Sequence, residues 1–379
     1  MIKSEEIKTN WDCVIIGAGP AGSMAAKKIA SQNKEVLLID KAIFPRSKVC
    51  GCCLNGAAQA ALAEAGLQSL LVDNRAVLLD SLQLFDKGKT ATIALPIGAS
   101  LSRDKLDLAL VNAARQNGAR FLQGTTARVL SLDHLPVIEL GSANSRDQIQ
   151  TKLIIVADGL AGRSLELLQQ FNSTAQLRSR FGAGTILDAA PAWIEAGKIY
   201  MACGNGGYVG MVKLEDGRLN IAAAFDRNFS RQLNGIASAA AHLLNQNGLP
   251  VPVDMLEAHW RGTDSLSRSR SRLADKRLFL IGDACGYTEP FTGEGMAWAL
   301  RSGLTVADLA LAAINSWDDN LINLWHKKQK ALIQRKVPSK VLAFTLRNGL
   351  MREAMINLLS RLPDFASQLV RDITDKQHA

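Results

Sequence analysis

The 379-residue sequence predicts an α/β fold: a Rossmann-like three-layer domain, an interleaved antiparallel β-sheet domain, and a C-terminal helical segment. Three observations predict it. DCVIIGAGPAGSMAAKKIA, residues 12–30, is a short apolar run, a glycine turn and an alanine-rich helical stretch. RLFLIGDACGYTEPFTGEGMAWAL, residues 277–300, repeats that strand–loop–helix pattern near the other end. Between them, SLQLFDKGKTATIAL and KIYMACGNGGYVGMVKLEDGRLNIAAAF are extended runs broken by Asp-Lys-Gly and Glu-Asp-Gly, which are hairpin signals.

The first element has a residue-level rationale. Gly17 permits the tight turn, Gly19 admits a pyrophosphate to the backbone, and Gly22 lets the helix pack close to the sheet. Pro20 and Ala21 open the helix, whose N-terminus offers N–H groups and about half a positive charge to a phosphate. EVLLID then makes a second strand ending in Asp40, eighteen residues past Gly22, where a ribose would be held. A dinucleotide site follows, with Lys41 and Arg46 just beyond the acid. A single glycine fingerprint occurs, so no separate nicotinamide domain is visible.

The second element places Gly282-Asp283 at a strand end. A loop with Pro290, Gly293, Glu294 and Gly295 then leads into a helix beginning near Met296. A plain nicotinamide domain does not need this. With both anchors in this order, the chain from Asp12 to about Ala312 resembles the flavoprotein superfamily of para-hydroxybenzoate hydroxylase, the flavin-dependent halogenases and the geranylgeranyl reductases. The resemblance implies FAD as a non-covalent cofactor. It implies Asp283 at the ribityl chain, the 290–295 loop along the isoalloxazine ring, and Arg103 reaching the phosphates or flavin. A helix N-terminus there would stabilise the negative charge of reduced flavin.

Two features separate the branches of this superfamily. KLIIVADG ends in Asp158-Gly159, but Gly162 stands where the hydroxylases carry a serine. Lys48-x-Cys50-Gly51 is similar to a reductase pattern, whereas the halogenase tryptophan motif is missing. A reductase or dehydrogenase acting on a lipophilic small molecule is therefore expected. The alternatives are an NAD(P)H- and O2-dependent monooxygenase, and less readily a halogenase or a non-catalytic FAD-binding module. Electrons would come from an external donor, with NAD(P)H as a transient one.

KVCGCCLNG, residues 48–56, raises its own question. Zinc favours C-x2-C pairs with a second pair elsewhere, which the chain lacks, so no metal site is expected. Adjacent Cys52 and Cys53 are poor disulfide partners. The bland reading is a close-packed loop beside the cofactor. The sharper one is a Cys50 thiol facing the substrate, its thiolate favoured by Lys48 or Arg46. Tyr208 in GGYVGMV would hydrogen-bond a ligand, with Gly206, Gly207 and Gly210 keeping the backbone close. Glu294 is either a proton donor or an ordinary helix-entry acid.

Composition bounds the rest. Apolar residues are 47% and aromatics 5%, and the net charge is +9. From His326 onward the tail carries eleven Lys and Arg against four acids, so the charge is local and a nucleic-acid binder is disfavoured. RSRSR at 268–272 reads as a solvated turn. No secretory signal and no run of about 18 apolar residues is visible. A cytoplasmic protein with reduced cysteines and no membrane-spanning helix is expected. The tail caps the substrate cavity or, more sharply, touches a membrane surface as a basic amphipathic helix. The expected boundaries are 10–75, 101–174 and 266–320 for the FAD domain, 76–100 and 175–265 for the sheet domain, and 321–379 for the helical segment.

Overall fold

A computed structural model of the chain describes residues 8–142, 146–289, 293–334 and 344–362. The expected position of Pro290, and the tail's basic residues at 335–340, 371 and 376, lie outside them.

The first sheet grows from the buried strand Asn10–Ile16, which pairs in parallel with Val36–Asp40 on one side and Arg146–Val156 on the other. Leu278–Leu280 and Arg120–Gln123 extend it, pairing in parallel with Arg146–Val156 and Val36–Asp40 respectively. Strands with helices on their faces read as continuous apolar runs, and these do: VLLID and LFL are buried almost throughout. The order puts Gly17, Asp158 and Asp283 beyond the same carboxyl edge, where open α/β sheets bind ligands.

Two helices fix the site's geometry. Pro20–Ala30 packs against Gly295–Asn315 so tightly that a Cβ on Gly303 would lie 2.3 Å from the Ala21 carbonyl oxygen. The two anchors of the sequence therefore touch directly. Gly295–Asn315 is also long and apolar enough to cross a membrane, which the sequence reading did not expect. However, 67% of its most apolar window is buried inside the protein, as in a core helix.

The second sheet has seven strands, in the order Arg261–Ser265, Phe181–Leu187, Leu219–Phe225, Gly207–Lys213, Lys198–Gly204, Ser81–Asp86 and Lys89–Ala94. Both predicted hairpins form: Asp86 pairs with Lys89 across Lys87-Gly88, and Lys213 with Leu219 across Glu215–Gly217. Pairing is antiparallel except between Lys198–Gly204 and Ser81–Asp86, which run parallel because the chain leaves and re-enters the sheet between them. One face is covered by the helix Ile236–Gln246, whose Leu243 and Leu244 join a core with Ile221 and Phe225. RSRSR is not a solvated turn: Arg268–Arg270 is a short strand paired with Ser173–Ala175 and Gly286–Tyr287.

The tail's helix Gly349–Arg361 docks Ile356 and Leu359 onto Leu84 and Ile93 of the second sheet. Two of the tail's basic residues turn toward buried acids. Arg352 is buried against Asp86 at 3.0 Å, and Arg347 donates to Glu289 at 2.7 Å. The basic tail is thus in part an internal clamp rather than a uniformly exposed charged face.

Candidate FAD site

The three glycines of the first turn do different work. Gly17 has φ +105°, and a Cβ there would be 2.3 Å from the Ala157 carbonyl oxygen. A Cβ on Gly22 would be 1.9 Å from the Gly17 carbonyl oxygen, so this glycine serves helix–strand packing. Gly19 is open, with only an Arg46 guanidinium nitrogen, at 3.9 Å, near its missing Cβ. It caps the Pro20–Ala30 helix without a side-chain cap and without an acid in the first turn. An uncapped helix N-terminus with open space above it is a cradle for phosphate.

Asp40 accepts hydrogen bonds from the Ala18 and Ala42 N–H groups, both at 2.9 Å. These bonds tie the end of the second strand to the glycine turn. Lys41 beside it is exposed. Arg46 reaches from the next loop to Asp40 at 3.5 Å and to Asp107 at 2.8 Å.

Arg103, the first residue of the helix Arg103–Gln116, is buried. It donates Nε and Nη2 to the two oxygens of Asp107 at 2.9 and 2.8 Å. Asp107 is fully buried and holds both arginines; the sequence reading missed it. Its i+4 spacing from Arg103 was the available signal.

The cysteine loop joins this cluster. Cys50 accepts from the Cys52 N–H at 3.4 Å. Hydrogen bonding with Cys52, opposed by burial and aided by Arg103, brings the Cys50 thiol down to about 5. The same pairing pushes Cys52 up, and burial pushes Cys53 up to about 12. Arg103, not the Lys48 or Arg46 of the sequence reading, is the cation that favours the thiolate. Lys48 is exposed along its length, but its ammonium lies 3.3 Å from where a Gly159 Cβ would sit, near Arg103 and Asp283. Burial lowers its pKa and Arg103 lowers it further. Such a residue lines a deep groove. The missing Cβ of Gly51 has nothing near it. All six cysteines are free thiols, and no metal-ligating cluster occurs among the described residues.

The second anchor closes the site from the other side. Gly282 donates its N–H to Ser302 Oγ at 3.0 Å, which holds the Asp283 turn against the Gly295–Asn315 helix. Gly293 has φ +72° and faces Cys53, while Gly295 faces the Tyr287 hydroxyl. Hence the cysteine loop lies against the loop that the sequence assigned to the isoalloxazine ring. Glu294 is the buried N-cap residue of that helix, and Met296 is buried beneath it.

Asp158, expected with Gly159 among the cofactor-binding residues, has a local partner for one of its oxygens. It accepts from the Ser164 N–H at 3.0 Å and so caps the short turn Arg163–Leu165. Burial raises its pKa. Gly162 explains itself sterically: a Cβ there would be 1.9 Å from Arg270 Nη2, so Arg270 fills the space beside Asp158.

The second sheet turns its other face to this site. Gly184, Ala222, Gly210 and Met201 lie in one row across four strands, and Ala222 and Gly210 are partly exposed in mid-sheet. Tyr208 is buried on the same face, and burial followed by Glu289 raises its pKa well above the usual value. Of the three glycines expected to approach a ligand, Gly206 and Gly207 instead pack against Phe229 and Phe225; Gly210 is partly exposed, with Met201 and the Ala222 carbonyl oxygen in contact distance of its missing Cβ. Between the cysteine loop and this sheet lies a cavity of about 410 Å³ lined by residues 47–50, Gly184, Asn220, His259 and Arg261. Asn220 ties the two together by donating to the Cys50 carbonyl oxygen at 3.0 Å.

Sequence comparison agrees with this architecture. The family described as FAD binding domain matches residues 10–338. Menaquinone reductase of Mycobacterium tuberculosis (strain ATCC 25618 / H37Rv) is 28% identical over 322 residues, covering 79% of this chain and 76% of that one. Digeranylgeranylglycerophospholipid reductase of Thermoplasma volcanium is 24% identical over 386 residues, covering 95% and 92%. Among solved structures, a flavoprotein/dehydrogenase from Cytophaga hutchinsonii superposes with a TM-score of 0.79 at 15% identity, covering 96% of this chain and 92% of that one. That likeness speaks for the fold. The uncapped cradle, the acid closing the second strand and the paired glycine loops all fit the cofactor that the family binds. The chain belongs to the FAD binding domain family and is an FAD-dependent oxidoreductase.

Proposed function

We propose that the protein is a reductase that delivers two hydrogens to a lipophilic small molecule. Bound FAD supplies the hydride chemistry. The residues present would divide the remaining work. The Gly17–Gly22 turn would hold the pyrophosphate and Asp40 the ribose. Arg46, Arg103, Lys48 and Asp283 would line the groove that carries the rest of the cofactor. Gly293, Glu294, Gly295 and Met296 would present the helix N-terminus to the flavin ring. Gly159 would approach the cofactor through backbone, whereas Asp158 serves its own turn.

The observation that carries the reductase reading is the apolar floor at Gly210 and Ala222, which the cysteine loop and Tyr208 adjoin. Relatives spanning most of the chain are named for reductions of a quinone and of an isoprenoid lipid, which supports such a substrate here. Cys50 would keep a thiolate beside the flavin loop. Tyr208, held protonated by burial, would donate a hydrogen bond or a proton. The electron donor is external, with NAD(P)H the first to try. Contact of the remaining exposed basic tail with a membrane surface would bring such substrates to the site.

The test is purified holoprotein with NADPH or dithionite and either a menaquinone or an unsaturated isoprenoid lipid, with and without air. Mass spectrometry reads the product. A gain of two hydrogens without air is expected. A gain of one oxygen, only in air, would overturn the reductase reading in favour of a monooxygenase.

A further inference from the structure

Arg180 stands on the sheet face that looks toward the cysteine loop. It immediately precedes the Phe181–Leu187 strand and alternates onto the same side as Gly182 and Gly184. It is 1% exposed. Its Nη1 donates one long bond to Glu289 Oε1 at 3.3 Å. Its Nε lies 3.6 Å from Asp226, and neither Nε nor Nη2 has a hydrogen-bond partner. Glu289 is shared, because its other oxygen takes the 2.7 Å bond from Arg347.

A guanidinium offers five N–H donors, and each one buried without an acceptor costs on the order of 1–3 kcal/mol. If Arg180 served only to pack, an apolar side chain of similar volume would be the more stable choice. The Arg180 guanidinium carbon is 5.8 Å from the Tyr208 ring centre. Two residues along that strand, on the same face, is Gly210, opposite Ala222, and both are partly exposed.

We propose that Arg180 is the binding site for an acceptor oxygen at the polar end of the substrate, a quinone carbonyl or a phosphate ester oxygen. The apolar remainder of the substrate lies over Gly210 and Ala222. This rests on the lipophilic substrate proposed above. Arg180 touches substrate without moving electrons, so it sets affinity and pose.

The experiment titrates the FAD-loaded full chain calorimetrically with menadione and, separately, with geranyl phosphate, using wild type, Arg180→Met and Arg180→Lys. Wild type is expected to bind at least one probe. Arg180→Met is expected to bind it at least tenfold more weakly while keeping its FAD content and its melting temperature, with Arg180→Lys in between. The probe that loses affinity identifies carbonyl or phosphate. Equal binding by wild type and Arg180→Met overturns the proposal and leaves Arg180 as a holder of Glu289. Should Arg180→Met not fold, Arg180→Lys decides: at least threefold weaker binding supports the proposal and unchanged binding overturns it. Wild type binding neither probe overturns both this site and the lipophilic substrate, an outcome distinct from the failure of Arg180 alone.

Discussion

Arg103 and Arg180 are both buried arginines, yet their surroundings are built in opposite ways. Arg103 is gripped by both oxygens of Asp107, which also accepts Arg46 in the same cluster. Arg180 has one long bond to a carboxylate that Arg347 already shares. Burying a charge is tolerated when its partners are complete. The first cluster is therefore complete within the protein. The second is incomplete by itself, with Arg180 Nε and Nη2 left without an acceptor.

The strongest way to break this contrast is Asp107→Asn. It would leave two arginines near one weakened acceptor, and a loss of about 3–5 kcal/mol is expected. Urea unfolding of FAD-loaded protein measures it. A loss below about 1 kcal/mol would mean that water already shares the cluster, and the two arginines would no longer differ in kind.

Cys50 sharpens the contrast, since the satisfied arginine also faces its sulfur. With its pKa lowered to about 5, the thiolate exists above that value and is lost as the pH falls through it. Alkylation of Cys50 by iodoacetamide should change less than about twofold between pH 8 and 6, then fall by half near pH 5. An ordinary thiol, with a pKa of about 8.5, would slow by roughly tenfold per unit over the same range. Peptide mapping distinguishes Cys50 from Cys52 and Cys53, which should stay unmodified. A Cys50 profile with ordinary slope would detach Arg103 from the thiol.

The smallest effect concerns a third arginine, whose place is held by a missing side chain. Gly162→Ser would put a Cβ 1.9 Å from Arg270 Nη2 at a residue with φ +57°. The guanidinium is the movable end of a flexible side chain, so a cost of about 1–2 kcal/mol is expected from its displacement and the backbone strain. Thermal unfolding measures it. An unchanged melting temperature would show that Arg270 has room to leave, and that Gly162 is not kept for it.

Much of the fold was legible because its signals are local. The Pro20–Ala30 helix, the strand ending at Asp40, the Asp-Lys-Gly hairpin and the helix after Gly293 each follow from the periodicity or turn chemistry of a few neighbouring residues. The GGYVGMV glycines misled for the same reason. A glycine reports a steric demand and not its source, and two of the three answer to Phe225 and Phe229. RSRSR looked solvated because its partners, Ser173 and Gly286, are far away in sequence.

The sequence by itself determined an α/β flavoprotein: two glycine anchors of fixed order, the acid after the second strand, and a hairpin-rich sheet inserted between them. Those properties depend on φ, on side-chain periodicity and on spacing, all short-range quantities. Only the tertiary structure decided that Asp107 joins Arg46 to Arg103, that Cys50 faces Arg103, that the basic tail turns Arg347 and Arg352 inward, and that Arg180 is buried with donors to spare. Whether a buried charge is satisfied depends on groups brought within about 3 Å by folding, often from segments more than a hundred residues apart, and no local pattern encodes that distance.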